Sequence, residues 1–550
     1  MNAAELFVQC LEAEGVKYIF GVPGEENAHF MMALEDSSIQ FLLTRHEQGA
    51  AFMADVYGRL TGEAAVCLGT LGPGATNLVT GVADANMDRA PVVVLTGQAD
   101  SKRQHKESHQ NMDVVALFRP VTKWASPIRH RDSVPEIVRK AFKLATTEKP
   151  GACHIELAED IAHEPVDDAL RPLAPTRVRR PVPDDKVLGQ AWELIRRAKR
   201  PVILAGNGCV RKRASRQLRR FCEATGIGVI NTFMGKGAVD RDAEYCMFTM
   251  GLQARDRVSL AMDAADLVIT LGYDLVEYHP KLWNPGGDKP IVHLDFLPAE
   301  VDANYHPTVE VVGDLGHALW MLNERVEADP VDLSVADHRA IRKAMQADFL
   351  EHAGDQAVGA IKPQKALHDL RQALGPSDIV LSDVGAHKMW IARYYQCDEP
   401  NTCLISNGFC SMGFALPGAI GAKLAKPDAQ VVAVCGDGGF LMNVQEMETA
   451  VRLGTKITVM VWVDHAYGLI AWKQDNQFGR HTDLAFGNPD FTLLAQAFGW
   501  HAERVERSAD LDEALRRALA APEPALVVVP IDYAENNKLS QRLGQISVPI

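Results

Sequence analysis

The feature that most constrains this chain is an alternation. Short apolar runs rich in valine and isoleucine recur along it, separated by longer amphipathic stretches. The runs fall at residues 64–68, 91–95, 201–205, 228–231, 267–271, 290–294, 379–382, 430–435, 457–463 and 525–530. A strand that is apolar on both faces must be covered on both faces. That is the situation of parallel sheets whose crossover helices pack above and below. The predicted class is therefore α/β, with doubly wound parallel sheets. At about 100–200 residues per domain, 550 residues make about three domains. Two proline-rich, charged stretches read as linkers, 165–185 and 329–363. They divide the chain into 1–165, 190–325 and 360–540. The first and third parts share the same strand–helix rhythm.

Charge and segment composition narrow the function. The net charge of −14 disfavours nucleic acid or an anionic membrane as partner. The opening residues interleave apolar positions with Glu5, Glu12 and Glu14, unlike a secretory leader. The longest apolar runs are too short to span a bilayer. A cytoplasmic protein with no membrane or nucleic-acid partner is expected. The ten cysteines contain no C-x-x-C pair, and several lie inside apolar runs. They read as buried free thiols in a reducing compartment.

One stretch carries chemistry. The run 430–435 leads into Gly436-Asp437-Gly438-Gly439. A helix is expected at about 443–453. The next strand ends at Asp464-His465-Ala466-Tyr467-Gly468. In a right-handed β-α-β crossover both strands lie side by side, about 4.8 Å apart, with their carboxyl ends together. Asp437 and Asp464, 27 residues apart, then reach one point above the sheet. Two carboxylates with backbone carbonyls suit a hard divalent ion such as Mg²⁺. The glycines let backbone approach a ligand, and the helix N-terminus favours phosphate. A diphosphate bridged by Mg²⁺ fits such a crevice. A second acid, Glu47, falls in the first turn of a helix that continues Gly49-Ala50-Ala51-Phe52-Met53-Ala54. In such apolar surroundings it could share a proton with a ring nitrogen.

These residues resemble the thiamine-diphosphate enzymes, and most nearly the catabolic, FAD-independent acetolactate synthases. The metal motif of most members ends in asparagine, whereas the catabolic synthases place an aspartate where this chain has Asp464. The resemblance implies three domains, which bind pyrimidine, serve as centre, and bind diphosphate. It implies thiamine diphosphate and Mg²⁺ as cofactors, with Asp437, Asp464 and the backbone oxygen of Ala466 as metal ligands. Glu47 would be the catalytic acid on the aminopyrimidine, with 70–77 as the accompanying glycine-rich loop. Gly385, Ala386 and His387 would contact the diphosphate, together with Gly436, Gly438, Gly439, Tyr467 and Gly468. Ser411 and Met412 lie in the segment 406–417, which would hold the aminopyrimidine, Met412 wedging the cofactor into a bent shape. Gln110, Leu469, Ile470 and Lys473 would line the substrate site. At the last three positions this chain differs from known relatives, which carry methionine, valine and, in catabolic members, glutamine.

The resemblance further implies that Glu47 and Asp437 meet across subunits, in a homodimer at least and a homotetramer by family habit. The segment 271–280 resembles the catabolic enzymes and lacks the arginine-bearing loop of FAD-containing synthases, so the central domain is expected to be scaffold without FAD. The implied reaction decarboxylates pyruvate, a 2-oxo acid, and condenses the two-carbon fragment with a second pyruvate to give 2-acetolactate. The alternatives are a same-family carboligase with another acceptor, such as sulfoacetaldehyde acetyltransferase, and a FAD-dependent pyruvate oxidase.

Overall fold

The apolar runs become the inner strands of three six-stranded sheets in which every paired strand is parallel. The computed structural model describes residues 1–176, 178–211, 214–251, 257–536 and 539. The first sheet holds β1 (Tyr18–Gly21), β2 (Gln40–Leu43), β3 (Ala65–Gly69), β4 (Val92–Gln98), β5 (Trp124–Ile128) and β6 (Ala152–Ala158), in the order β2-β1-β3-β4-β6-β5. The second holds β7 (Pro201–Ala205), β8 (Gly228–Asn231), β9 (Cys246–Thr249), β10 (Leu267–Leu271), β11 (Ile291–Asp295) and β12 (Val309–Val312), in the order β12-β11-β10-β7-β8-β9. The third holds β13 (Ile379–Ser382), β14 (Cys403–Ile405), β15 (Val431–Gly436), β16 (Thr458–Val463), β17 (His501–Arg504) and β18 (Ala525–Pro530), in the order β14-β13-β15-β16-β18-β17. Counted within each sheet, the first and third have one and the same order. The middle sheet has a different one, in which its first and fourth strands lie side by side at the centre.

The central strands are buried on both faces, as their unbroken apolar sequence requires. The first and third domains meet through helices. Glu47–Thr61 packs against Pro73–Met87 on one side and Ala415–Ala425 on the other. The contact faces are built of small residues, so the backbones come very close. A Cβ added to Gly421 would lie 2.3 Å from the Met53 carbonyl oxygen, and one on Gly81 2.5 Å from the Ala51 Cβ. The contact is therefore matched to glycine and alanine, and a larger side chain would force the helices apart.

Two expectations change. The stretch 329–363 is not simply a linker, because it contains the helix Ala336–Leu350. The residues this helix buries are His338, Arg342 and Met345, so its inner face carries little apolar signal. Arg342 donates to the carbonyls of Cys246 and Arg241 (2.8 Å each) and fixes the helix to the central domain. The helix expected at 443–453 is present but shorter, Glu446–Arg452, and an additional helix, Asp437–Met442, precedes it. They break at Asn443, whose amide donates to the Gly413 carbonyl (2.8 Å) instead of continuing a helical face outward. By contrast, the described residues between the helices Glu159–His163 and Asp185–Ile195 form no helix or named strand, as expected of the first linker. Among the described residues no helix is long and apolar enough to cross a membrane. Nine of the ten cysteines are buried and Cys410 is exposed.

Candidate functional site

Strands β15 and β16 pair directly, Gly436 opposite Trp462, and so bring the residues that follow them together. Asp437 opens the helix Asp437–Met442 and is 1 % exposed. Its Oδ1 accepts from the Gly438 N–H (2.9 Å). Its Oδ2 accepts from the N–H groups of Asp464 (3.3 Å) and His465 (2.8 Å). A third donor to that oxygen is the side chain of Asn488 (2.8 Å), a residue the sequence reading did not single out. Burial and then the charge of Asp437 push the Asp464 carboxyl up to about 7. Two acids forced together in this way are each other's penalty until a cation joins them. His465 takes a left-handed φ of 58° to turn the chain, and Ala466 then bridges Ala485.

Glycines clear the space around this turn. A Cβ on Gly468 would lie 2.3 Å from an Asp464 carboxylate oxygen, and one on Gly438 2.8 Å from the Tyr467 ring. A Cβ on Gly385 or Gly436 would press on the His387 ring, at 2.8 and 3.2 Å. His387 is buried, its Nε2 has no partner among the described residues, and burial pushes it down to about 3, so the ring is neutral. Ala386 begins the helix Ala386–Tyr394 with Gly385 as its cap. The donor set fits a divalent cation with a diphosphate: paired acids, exposed loop backbone, a helix start and an unpartnered imidazole.

Behind this loop stands Asp383, fully buried and pushed up to about 7 by burial. It accepts from the N–H groups of Val384 (2.7 Å) and Gly413 (2.9 Å), tying the His387 loop to the Ser411–Met412 turn. The Ser411 N–H in turn donates to the Ser406 hydroxyl (2.6 Å). The first domain reaches the same segment. Asp88 accepts from the N–H groups of Asn407 and Gly408, at 2.7 Å each. Arg59 binds Asp55 (2.6 Å), Asp88 (3.0 Å) and the Ile405 carbonyl (2.7 Å). The guanidinium also acts electrostatically on a third acid, Asp84, to which the Ser406 hydroxyl donates. Burial, then Asp88 and Asp55, hold Asp84 well above the carboxylate range.

Glu47 is the first residue of its helix and 7 % exposed. The Asn77 amide donates to its Oε2 (2.9 Å), and Gly74 leaves room for Oε1. Glu446 accepts from the N–H groups of Arg45 (3.1 Å) and His46 (3.0 Å), just before Glu47. Within one chain, then, the side-chain hydrogen bond to Glu47 comes from its own domain, and among the described residues none hydrogen-bonds to both Glu47 and Asp437. Gln110 has a left-handed φ of 55°, is exposed, and lays its backbone against Gly72 of the glycine-rich loop. Leu469, Ile470 and Lys473 lie on Gly468–Phe478, a helix with no buried residue. Burial still pushes the Lys473 ammonium down, and both Cys410 and Lys388 lie close enough to act on it electrostatically. Lys388 donates to the Ser406 carbonyl (3.3 Å), so Lys473 sits beside the 406–411 segment. A separate cavity at the junction of the domains, bordered by Arg59, Arg89, Glu148, Asn207 and Lys236, includes none of the expected site residues.

Asn488, Glu446, Arg59 and Asp88 are among the side chains the sequence reading left without a role, and Asn77 entered it only as part of the 70–77 loop. Each acts on a residue remote in sequence, so no local motif announces it.

Three family models match the chain. They are the N-terminal thiamine pyrophosphate binding domain over residues 1–117, the central domain of thiamine pyrophosphate enzymes over 188–322, and the C-terminal thiamine pyrophosphate binding domain over 383–529. The chain is 36% identical to an acetolactate synthase of Bacillus subtilis, covering 99% of this chain and 96% of that protein. It is 39% identical to a catabolic acetolactate synthase of Raoultella terrigena, covering 99% and 97%. It is 34% identical to a chloroplastic acetolactate synthase of Arabidopsis thaliana, covering 97% and 82%.

Proposed function

This chain belongs to the thiamine pyrophosphate enzymes, and from that premise we propose that it is an acetolactate synthase that decarboxylates pyruvate and joins the two-carbon fragment to a second pyruvate. The observation that carries the reading is the paired Asp437 and Asp464 above a glycine cradle, with Glu47 held separately by Asn77. When bound, thiamine diphosphate supplies the electron sink that cleavage of a 2-oxo acid requires.

The chain's residues supply the rest. Asp437, Asp464 and the Ala466 carbonyl hold Mg²⁺. Gly385, Ala386, His387, Gly436, Gly438, Gly439, Tyr467 and Gly468 receive the diphosphate, and Ser411 and Met412 receive the ring end. His387, being neutral, offers a donor without adding charge. The Glu47 carboxyl, kept oriented by Asn77, would be the group that exchanges a proton with the aminopyrimidine of the bound cofactor. Gln110, Leu469, Ile470 and Lys473 face the 2-oxo acids. The Lys473 ammonium, partly desolvated, is suited to an acceptor carboxylate.

The working unit is a homodimer at least, and a homotetramer in full assembly, acting in the cytoplasm. Glu47 of one subunit serves the metal loop of the other. What supports this is the surface. The helix Gly468–Phe478 leaves Ile470 46 % and Phe478 65 % exposed, and Leu43, Phe409, Met442 and Val451 are exposed near the same loops. Incubation with pyruvate, thiamine diphosphate and Mg²⁺, with products identified by mass spectrometry, tests the reaction. Acetolactate as the main product is expected. Free acetaldehyde, acetyl phosphate, or product only with sulfoacetaldehyde added would contradict it.

A further inference from the structure

The middle sheet has the strand order of dinucleotide-binding domains, with β7 and β10 adjacent at the switch point. In such sheets a dinucleotide's phosphates sit against the glycine turn after the first strand. Here that turn is Gly206-Asn207-Gly208, and FAD is the dinucleotide some members of this family carry. Among the described residues every backbone donor of the turn is paired, and the Gly206 N–H donates to the Leu271 carbonyl (2.9 Å). The Gly208 N–H donates to the Gly272 carbonyl (2.8 Å), and the Cys209 N–H to the Gly206 carbonyl (3.0 Å). The remaining backbone donor, the Asn207 N–H, points at both oxygens of Glu277, at 3.0 and 3.1 Å, while the Asn207 side-chain amide donates to the Asp88 carbonyl (3.3 Å). Glu277 comes from the loop after β10 and is 7 % exposed. It also accepts from the Asp274 N–H (3.1 Å) and the Thr232 hydroxyl (2.5 Å).

The two turns are in backbone contact as well. A Cβ on Gly208 would lie 2.5 Å from the Gly272 Cα, and one on Gly206 3.0 Å from Glu277 Oε1. A dinucleotide phosphate therefore finds no free backbone donor at this turn among the described residues.

We propose that Glu277 is the determinant that keeps the central domain free of a dinucleotide, its carboxyl group standing where a phosphate would stand and satisfying the donors a phosphate would use. A carboxyl and a phosphate oxygen ask for the same donors, so one can replace the other in holding the loops. The domain thus keeps a dinucleotide fold closed by its own side chain. This stands apart from the acceptor used by the active site.

The test is thermal unfolding of the enzyme loaded with thiamine diphosphate and Mg²⁺, with and without FAD or inorganic phosphate. The proteins compared are wild type, Glu277→Ala and the near-isosteric Glu277→Gln, the last being decisive where the alanine variant does not fold. Wild type is expected to keep no flavin through purification and to show the same Tm with FAD as without. The variants are expected to unfold a few degrees lower and to recover part of that Tm in phosphate, while wild type gains none. Flavin retained by wild type, a FAD-dependent rise in its Tm, or variants that respond to phosphate no more than wild type does would overturn the proposal.

Discussion

The first and third domains are one topology used for two kinds of chemistry. Both order their strands alike, yet their loops carry different groups. In the third domain, the turns after its third and fourth strands, β15 and β16, bring Asp437 and Asp464 together. In the first, the loop after its third strand, β3, is Thr70-Leu71-Gly72-Pro73-Gly74 and carries no acid. The acid expected to act from this domain, Glu47, follows the edge strand β2 and is met by a neutral carboxamide. The scaffold therefore fixes where side chains can converge, and the loops decide what converges. On the proposed reading, the pair of acids serves an ion and the lone acid beside an amide serves proton exchange, at the two ends of one cofactor.

The division of labour can be broken from either side. Asp437→Ala has the largest expected effect. It removes thiamine diphosphate and Mg²⁺ binding in calorimetric titration, and turnover with it. Glu47→Gln should leave that titration close to wild type while lowering kcat about 10²–10⁴-fold. Equal loss of binding in both variants would erase the distinction. Asn488→Ala removes a support of the Asp437 carboxylate, and Mg²⁺ affinity should fall about 10–100-fold. Gly421→Ala tests the packing between the two domains rather than either site. Its Cβ would meet the Met53 carbonyl at 2.3 Å. The cost should be about 1–3 kcal/mol, seen as a lower unfolding midpoint in denaturant.

Sequence exposed the fold where burial writes a simple pattern. Strands β7 and β18 are apolar throughout, β10 is apolar but for the buried Thr270, and all three stand where the runs at 201–205, 267–271 and 525–530 predict them. The edge strand β5 was not legible, because Trp124–Ile128 is half-buried and contains Pro127. The helix Ala336–Leu350 was hidden by the histidine and arginine on its inner face. In the site, Asp437 and Asp464 were legible because each ends an apolar strand. Glu446 was not, because it acts on the backbone of Arg45 and His46, residues about 400 positions earlier. Such long-range hydrogen bonds leave no trace in spacing.

The central claim is that Glu47 and the two aspartates serve one cofactor from two subunits. Co-expression of differently tagged Glu47→Gln and Asp437→Ala chains, with isolation of the mixed dimer, tests it directly. If the sites form across subunits, one site in each mixed dimer is intact, and about half of the wild-type turnover should return. If Glu47 and Asp437 act within the same chain, both sites carry a defect and the mixed dimer should be no more active than its parents.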